Sequence, residues 1–161
     1  MVPLPEEVVV LLVDDSEDDL FIIERAIGKA DLRNRIVKLS DGEEALAYFG
    51  GVGKYADREK YPVPGLVLLD LKMPKVDGFE VLSSIRQQPV YRDLPVIVLT
   101  SSELLMDVRR AYEVGASSYL VKPLEFQNLA AMVRTLGAVW RQATERRGAA
   151  GASGTGMQSG G

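Results

Sequence analysis

The sequence predicts an α/β fold in which a parallel sheet is covered by helices on both faces. Two observations lead to this prediction. Five short apolar runs, bounded by turn-forming residues, lie along the 161-residue chain, and such runs are typical of strands buried in a parallel sheet. Each run is followed by a segment with the apolar period of a helix, which favours right-handed β-α-β crossovers. Five such units suit the flavodoxin-like strand order 2-1-3-4-5.

The predicted strands are residues 8–13, 36–39, 66–70, 94–99 and 118–121. In the first helix, Asp18 and Asp19 occupy the first turn, where the helix dipole favours acidic residues, so we interpret them as capping or dipole residues. Asp77 and Gly78 indicate the turn that opens the third helix, and Gly115 indicates the end of the fourth. The apolar positions of the fourth helix are Leu104, Leu105, Val108, Ala111 and Tyr112.

The remaining segments suggest the domain organisation. Residues 1–7 form an N-terminal extension, and residues 8–147 form one domain with an extended last helix. Residues 148–161 form a glycine-rich tail, which we expect to be disordered. Residues 50–64 form a long connection that is either a tolerated surface insertion or a functional loop.

Composition excludes several classes of function. The chain has no cysteine and no histidine, which rules out disulfides, thiolate or histidine metal sites and a Ser-His-Asp triad. Its net charge of −4 and pI of about 5.0 argue against binding to nucleic acid, which normally needs a basic surface. The first apolar run is too short to span a membrane. Because no secretion signal precedes it, we expect a cytoplasmic protein without a membrane partner.

Polar residues of a particular kind follow four of the five apolar runs. Asp14 and Asp15 follow the first run, Asp70 the third, Thr100 the fourth and Lys122 the fifth. In an open parallel sheet the carboxyl ends of the strands line the ligand crevice, at the switch point between the first and third strands. We therefore expect three carboxylates, a hydroxyl and an ammonium group in one pocket.

These groups fit phosphoryl transfer assisted by a divalent metal. Asp70 is the candidate nucleophile, because a carboxylate can accept a phosphoryl group as an acyl phosphate. Asp14 and Asp15 supply the oxygen ligands that Mg2+ prefers. Lys122 can pair with one phosphoryl oxygen, and Thr100 can donate a hydrogen bond to another. Each residue alone has a structural explanation as a cap, turn or solvated residue, and only their joint occurrence favours the site.

Four stretches of the chain resemble the response-regulator receiver domain of two-component systems, over about residues 8–144. They are Leu12-Val13-Asp14-Asp15-Ser16, Asp70-Leu71-Lys72-Met73-Pro74 with Asp77-Gly78, Leu99-Thr100-Ser101, and Tyr119-Leu120-Val121-Lys122-Pro123. Each stretch alone is a weak signal. All four in this order and at these spacings are specific to that family.

The resemblance implies an acceptor and a metal site. Asp70 would be the phosphoacceptor and a ligand of Mg2+. Asp15 would bind Mg2+ directly and Asp14 through a water molecule. Lys72, two residues after the acceptor, would offer its backbone carbonyl to the metal.

The resemblance also implies a partner and a switch. A sensor histidine kinase would supply the phosphoryl group, and the receiver would catalyse its own phosphorylation without being a turnover enzyme. Thr100 would then turn toward the phosphoryl group and Tyr119 would move inward, so that the surface of the fourth helix, fifth strand and fifth helix repacks. Lys122 would bind the phosphoryl group, and its bond to Pro123 would be cis.

A narrower resemblance concerns partner and assembly. The long loop at residues 50–64 and the extended last helix look similar to single-domain regulators paired with phytochrome-type sensor kinases. A helix over residues 125–147 would be roughly 35 Å long at 1.5 Å per residue, which is more than one small sheet can cover. Val139 and Trp140 therefore either pack against their own domain or form a homodimer through the last helix.

Three other interpretations stay open. A receiver-like scaffold or dimerisation module would keep the fold without being phosphorylated. A haloacid-dehalogenase-type phosphatase also uses an Asp nucleophile and Mg2+, but it has a second Asp where this chain has Ser16. A flavodoxin needs a phosphate loop rich in Ser, Thr and Gly after the first strand, whereas residues 14–19 are mostly acidic.

Overall fold

The computed structural model describes residues 2–146 as five strands, each followed by a helix. The strands are β1 (Val10–Val13), β2 (Ile36–Leu39), β3 (Leu66–Leu69), β4 (Val96–Thr100) and β5 (Ser118–Val121). The helices are α1 (Glu17–Lys29), α2 (Gly42–Gly50), α3 (Gly78–Gln87), α4 (Leu105–Val114) and α5 (Phe126–Val133). Two short 3-10 turns lie over Gly53–Ala56 and Pro89–Tyr91. In this part of the chain no helix is long and apolar enough to cross a membrane, and the predicted tail at 148–161 lies outside the described residues.

The sheet has the order β2-β1-β3-β4-β5, and every neighbouring pair of strands is parallel. This confirms the predicted fold class. Val13 of β1 lies beside Leu69 of β3, and Thr100 of β4 lies beside Val121 of β5. The residues that come next along these strands therefore emerge at the same edge of the sheet.

Two apolar layers enclose the sheet, because successive side chains of a strand point to opposite faces. Leu11 and Val13 belong to the layer that contains α2, α3 and α4. Val10 and Leu12 belong to the other layer, which contains α1 and α5. Helices thus cover both faces, as the apolar runs of the central strands predict.

Side-chain caps begin three of the helices. Ser16, Asp41 and Asp77 each accept a hydrogen bond from the backbone N–H three residues later, at 3.2, 2.7 and 3.0 Å, which satisfies a donor that the first helical turn leaves unpaired. The cap of α1 is therefore Ser16, and not Asp18 or Asp19 as one interpretation of the sequence held. Both aspartates lie in the first turn, where the helix dipole favours them.

The last helix is interrupted, whereas the sequence predicts a continuous helix over residues 125–147. α5 ends at Val133, a turn follows, and residues 136–146 are helical again. Thr135 is the residue that breaks the helical pattern, because its backbone N–H and its hydroxyl both donate to the carbonyl oxygen of Met132, at 2.9 and 2.6 Å.

The helical segment 136–146 packs against its own domain. Trp140 Nε1 donates to the carbonyl oxygen of Gly65 at 2.9 Å, and Ala143 is buried. A Cβ atom on Gly137 would lie 2.1 Å from the carbonyl oxygen of Val2, so the segment also touches the N-terminal extension. Of the two alternatives for the end of the last helix, the structure supports packing against the chain's own domain.

The long connection at residues 50–64 is packed rather than loose. Tyr55 is buried, and its hydroxyl donates to Glu44 Oε1 at 2.8 Å. The hydroxyl of Tyr48 donates to the carbonyl oxygen of Pro62 at 2.6 Å. The ring of Tyr55 lies 5.0 Å from that of Tyr48 and 4.9 Å from that of Tyr61, between centroids. The connection therefore extends the core beside α2, and a function for it stays a prediction.

Candidate functional site

Three carboxylates meet where β1 and β3 end. Asp14 and Asp15 follow β1, and Asp70 follows β3. The backbone N–H of Asp70 donates to the carbonyl oxygen of Val13 at 2.9 Å, which ties the two strand ends together. One oxygen from each carboxylate lies within 4.8 Å of the others. The structure thus brings together the three acidic residues that the sequence places at the switch point.

Asp14 is the most buried of the three, with 2% of its surface exposed. Its Oδ1 accepts the backbone N–H of Ser16 at 2.9 Å, and its Oδ2 accepts from Lys122 Nζ at 2.5 Å. Burial raises the pKa of Asp14 to about 6, against the opposing effect of these hydrogen bonds. Asp14 therefore takes up a proton at a higher pH than an ordinary aspartate does.

Asp70 is held close to the backbone of the segment that follows it. Its Oδ1 accepts the backbone N–H of Leu71 at 2.8 Å, and the carbonyl oxygen of Leu71 accepts from the N–H of Gly78 at 2.9 Å. A Cβ atom on Gly78 would lie only 2.2 Å from the carbonyl oxygen of Asp70. Glycine is therefore required where α3 begins, because any side chain would push this helix away from Asp70.

Lys122 contacts carboxylates from three elements. Its Nζ lies 2.5 Å from Asp14 Oδ2, 2.8 Å from Asp19 Oδ2 and 3.6 Å from Asp70 Oδ2. Burial alone would lower the pKa of Lys122, but its hydrogen bonds to Asp14 and Asp19 raise that pKa above the ordinary value. The ammonium group of Lys122 is thus charged beside Asp70. Nothing in the sequence assigns Asp19 to this site, because its place in the first turn of α1 already explains an acidic residue.

The backbone at Lys122 joins the ends of β4 and β5. Its N–H donates to the carbonyl oxygen of Thr100 at 2.7 Å. The peptide bond to Pro123 is trans, as are all peptide bonds in residues 2–146, so the expected cis bond is wrong here. The trans isomer of such a bond is intrinsically favoured by about 0.5–1 kcal/mol.

Thr100 places a buried hydroxyl group at the end of β4. The residue is fully buried, and its Oγ1 has no hydrogen-bond partner among the described residues. Leaving such a group unpaired costs about 1–3 kcal/mol. The hydroxyl therefore has an unused hydrogen-bond donor at the end of β4, within the described residues.

Tyr119 is connected to the loop between β4 and α4. Its hydroxyl donates to the carbonyl oxygen of Ser102 at 3.0 Å, and Ser102 Oγ donates to Asp107 Oδ2 at 2.5 Å. Asp107 also pairs with Lys72 Nζ at 3.0 Å. The hydrogen bond from Ser102, together with Lys72, lowers the pKa of Asp107 below its ordinary value. A chain of polar contacts thus links the segment after Asp70 to the start of α4 and to β5.

The acidic cluster has the chemistry of a site for a hard divalent cation. Carboxylate oxygens are the donors that Mg2+ prefers, with the remaining positions filled by water or phosphate. The Asp70 carboxylate contributes to the raised pKa of Asp14, and a bound cation would relieve this crowding of negative charge. The side chain of Lys72 lies outside the cluster, on Asp107, so only its backbone could contribute a ligand.

Comparison with known proteins decides the family. Residues 10–134 match the response regulator receiver domain. The chain belongs to this family. Receiver domains are phosphoacceptors that also dephosphorylate themselves, and they interact with histidine kinases. The resemblance found in the four stretches is confirmed.

Three relatives are similar to the chain over most of its length. The probable methanogenesis regulatory protein FilR2 of Methanothrix harundinacea is 40% identical over 82% of this chain and 83% of its own length. Response regulator Rcp1 of Synechocystis is 37% identical over 82% of this chain and 88% of its own. The solved Mn2+-bound form of Rcp1 has a TM-score of 0.73, over 82% of this chain and 93% of the other. The phosphorylated cyanobacterial phytochrome response regulator RcpA is 32% identical, with a TM-score of 0.76, over 83% of this chain and 94% of the other.

Proposed function

We propose that this protein is a single-domain response regulator that accepts a phosphoryl group on Asp70 from a sensor histidine kinase. The observation that supports the proposal most strongly is the position of Asp70 between a pair of acidic residues and a buried lysine. The matched region covers 88% of Rcp1 and 94% of RcpA, so these two relatives support a receiver that works without an attached output domain. On this proposal the working unit is residues 8–147.

Asp70 acts as the nucleophile. Since its Oδ1 accepts the N–H of Leu71, we assign the attack to Oδ2, which faces Lys122 Nζ at 3.6 Å. The bond from Oδ2 to phosphorus forms as the bond from phosphorus to the histidine nitrogen breaks, and the imidazole leaves with the electron pair. Lys122 then pairs with a phosphoryl oxygen, and this attraction offsets the repulsion between the carboxylate and the incoming group.

Mg2+ is the proposed cofactor, held by Asp14, Asp15, Asp70 and the backbone carbonyl of Lys72. When bound, Mg2+ neutralises negative charge on the carboxylates and on the transferred phosphoryl group. Asp15 is exposed and can reach a cation directly. Asp14 already holds the Ser16 N–H and Lys122, which favours contact through water. The Mn2+-bound form of Rcp1 supports a divalent cation in a related protein.

Thr100 and Tyr119 are the proposed switch residues. A phosphoryl group on Asp70 gives the unpaired hydroxyl of Thr100 an acceptor, so that Thr100 turns toward it. The hydroxyl of Tyr119 donates to the carbonyl oxygen of Ser102, which lies two residues beyond Thr100. A movement of Thr100 therefore also disturbs the hydrogen bond that holds Tyr119. The proposed outcome is repacking of the α4-β5-α5 surface.

The proposed partner is a phytochrome-type sensor histidine kinase in the cytoplasm. RcpA is a cyanobacterial phytochrome response regulator, and a bacteriophytochrome response regulator is 41% identical to this chain with a TM-score of 0.66. Neither nucleic acid nor a membrane is a proposed partner, since the net charge is −4 and the pI about 5.0.

The proposed function is tested by incubating the purified protein with a small phosphodonor and Mg2+ and measuring its intact mass. The wild type should gain one phosphoryl group, and it should gain none when Mg2+ is chelated. Asp70→Asn should gain none in either condition, whereas Asp77→Asn, which changes an acidic cap residue on α3, should still be modified. A wild-type protein whose mass never changes would support the scaffold interpretation instead.

A homodimer through the last helix stays a prediction. The structure turns the apolar side of residues 136–146 toward the chain's own domain through Trp140 and Ala143, so a dimer would have to use the opposite side. Truncation after Leu136 removes both the packing and the proposed interface. Arg141 and Glu145 are exposed on this helical segment. The test is therefore to measure the molar mass by light scattering for the wild type and for a variant in which both residues are substituted. If the wild type and the variant both have the molar mass of a monomer, the dimer is refuted.

A further inference from the structure

In the resting site the N–H donors of the Lys122 ammonium group contact more than one carboxylate. An ammonium group has three N–H donors. Two of them have acceptors at hydrogen-bond distance, Asp14 Oδ2 at 2.5 Å and Asp19 Oδ2 at 2.8 Å. The distance of 3.6 Å to Asp70 Oδ2 is too long for a hydrogen bond. Lys122 is thus held by two residues other than the acceptor.

These two partners differ in what else they can bind. Asp14 belongs to the acidic cluster, so a cation at that cluster competes with Lys122 for its oxygens. Asp19 lies outside the cluster, and its half-buried side chain contacts Lys122 from the first turn of α1. The cap fixes this position, because the N–H of Asp19 donates to Ser16 Oγ at 3.2 Å. Once a cation engages Asp14, Asp19 is the carboxylate that still competes for Lys122.

We propose that Asp19 is a positioning residue that restrains Lys122 and thereby weakens the pairing of Lys122 with a phosphoryl group on Asp70. The proposal rests on the proposed function of Asp70 as phosphoacceptor. Two effects have the same sign. Asp19 accepts one donor of Lys122, and its negative charge lowers the positive potential that Lys122 presents to the phosphoryl oxygens. Removing the charge at position 19 therefore strengthens phosphoryl binding.

The chain offers a matched control one residue away. Asp18 has the same charge and lies in the same first turn of α1. It is exposed, and its side chain makes no hydrogen bond or ion pair within residues 2–146. Asp18→Asn and Asp19→Asn change the net charge equally and act alike on the helix dipole. Any difference between the two variants therefore reports the contact with Lys122.

The experiment measures the affinity of each protein for beryllofluoride at saturating Mg2+, since this anion mimics a phosphoryl group on a carboxylate. Asp19→Asn should bind about two- to fivefold more tightly than wild type, which corresponds to the loss of a competing, partly exposed ion pair. Asp18→Asn should stay within about 1.5-fold, because an exposed charge is screened by water and salt. Asp19→Glu keeps the charge and should remain nearer to wild type than Asp19→Asn.

Two results would overturn the inference. Equal affinities of the two Asn variants would mean that Asp19 acts only through its general charge. Weaker binding by Asp19→Asn, in a variant whose circular dichroism and unfolding midpoint match the wild type, would mean that Asp19 presents Lys122 to the acceptor instead of restraining it. Failure of the proposed function is distinguishable, because the wild type would then neither bind beryllofluoride nor gain a phosphoryl group.

Discussion

Replacing Thr100 by Val should stabilise the resting protein, although the residue is completely buried. Val keeps the shape of Thr and exchanges the hydroxyl for a methyl group. The hydroxyl is 0% exposed with its residue and has no partner within residues 2–146, so the substitution breaks no hydrogen bond there. Most buried substitutions destabilise a protein by about 0.5–3 kcal/mol. A gain in stability on replacing Thr100 by Val would therefore indicate that its hydroxyl is unpaired in the resting protein.

The magnitude follows from the cost of the unpaired hydroxyl. A buried polar group without a partner costs about 1–3 kcal/mol, which Thr100→Val would remove. Imperfect packing of the new methyl group offsets part of this stabilisation. We expect the free energy of unfolding to rise by about 1 kcal/mol, which corresponds to about 2–4 °C in Tm for a chain of this size. Urea unfolding followed by circular dichroism measures the change as a higher midpoint with an unchanged slope.

A second threonine provides the control for this prediction. Thr144 Oγ1 donates to the carbonyl oxygen of Trp140 at 3.1 Å, so Thr144→Val removes a hydroxyl that has an acceptor and should leave stability unchanged or lower. If Thr100→Val were less stable than wild type by more than about 0.5 kcal/mol, the hydroxyl would already be satisfied in the resting state. That result would remove the physical basis for Thr100 as a switch residue.

Three further substitutions test other parts of the site. Asp14 has a pKa of about 6 in the folded protein against an ordinary value of 3.8. Between these pH values the folded state holds a proton on Asp14 that the unfolded state has lost, so the stability that this proton gives declines as pH rises. Without metal, the free energy of unfolding of the wild type, measured relative to that of Asp14→Asn, should therefore fall as pH rises from about 4 to 6. Asp107→Ala leaves Lys72 and Ser102 without their shared acceptor and should cost about 1–3 kcal/mol in urea unfolding, whereas a cost near zero would show that the polar chain to Tyr119 is unimportant for stability. Gly78→Ala places a Cβ atom 2.2 Å from the carbonyl oxygen of Asp70 and should lower the free energy of unfolding by about 2 kcal/mol or more; wild-type stability would mean that α3 can move aside.

The strand order and the acidic cluster could be predicted because both depend on regular geometry. Alternation of apolar runs with helical segments fixes a parallel sheet, and a parallel sheet brings the carboxyl ends of its strands to one edge. Asp14 and Asp70 directly follow the paired positions of β1 and β3, so their proximity required no knowledge of loops. Their position was predictable from strand ends alone.

Contacts between distant segments could not be predicted in this way. Asp19 and Lys122 are 103 residues apart, and nothing local distinguishes Asp19 from Asp18 as the lysine's partner. The interruption near Thr135 was also missed, because Val133 and Leu136 are both buried and the apolar period continues across the turn. Side-chain direction depends here on how helices pack, which periodicity does not record.

Which side of α4 is buried could not be predicted from the sequence, for a similar reason. Leu104 and Leu105 are 63% and 70% exposed, whereas Asp107 is only 8% exposed. Apolar character alone suggests the reverse arrangement. The polar residue is buried because Ser102 and Lys72 satisfy its carboxylate, and such pairing is visible only once the fold is known.

Locating the modified residue in the sequence is the sharpest test of whether Asp70 carries the phosphoryl group. After incubation with a small phosphodonor and Mg2+, borohydride reduction converts an aspartyl phosphate into homoserine, which tandem mass spectrometry can locate in the sequence. We expect homoserine at position 70 and at no other aspartate of the wild-type chain. Homoserine at position 14 or 15, or a fully phosphorylated protein with an unmodified Asp70, would contradict this expectation.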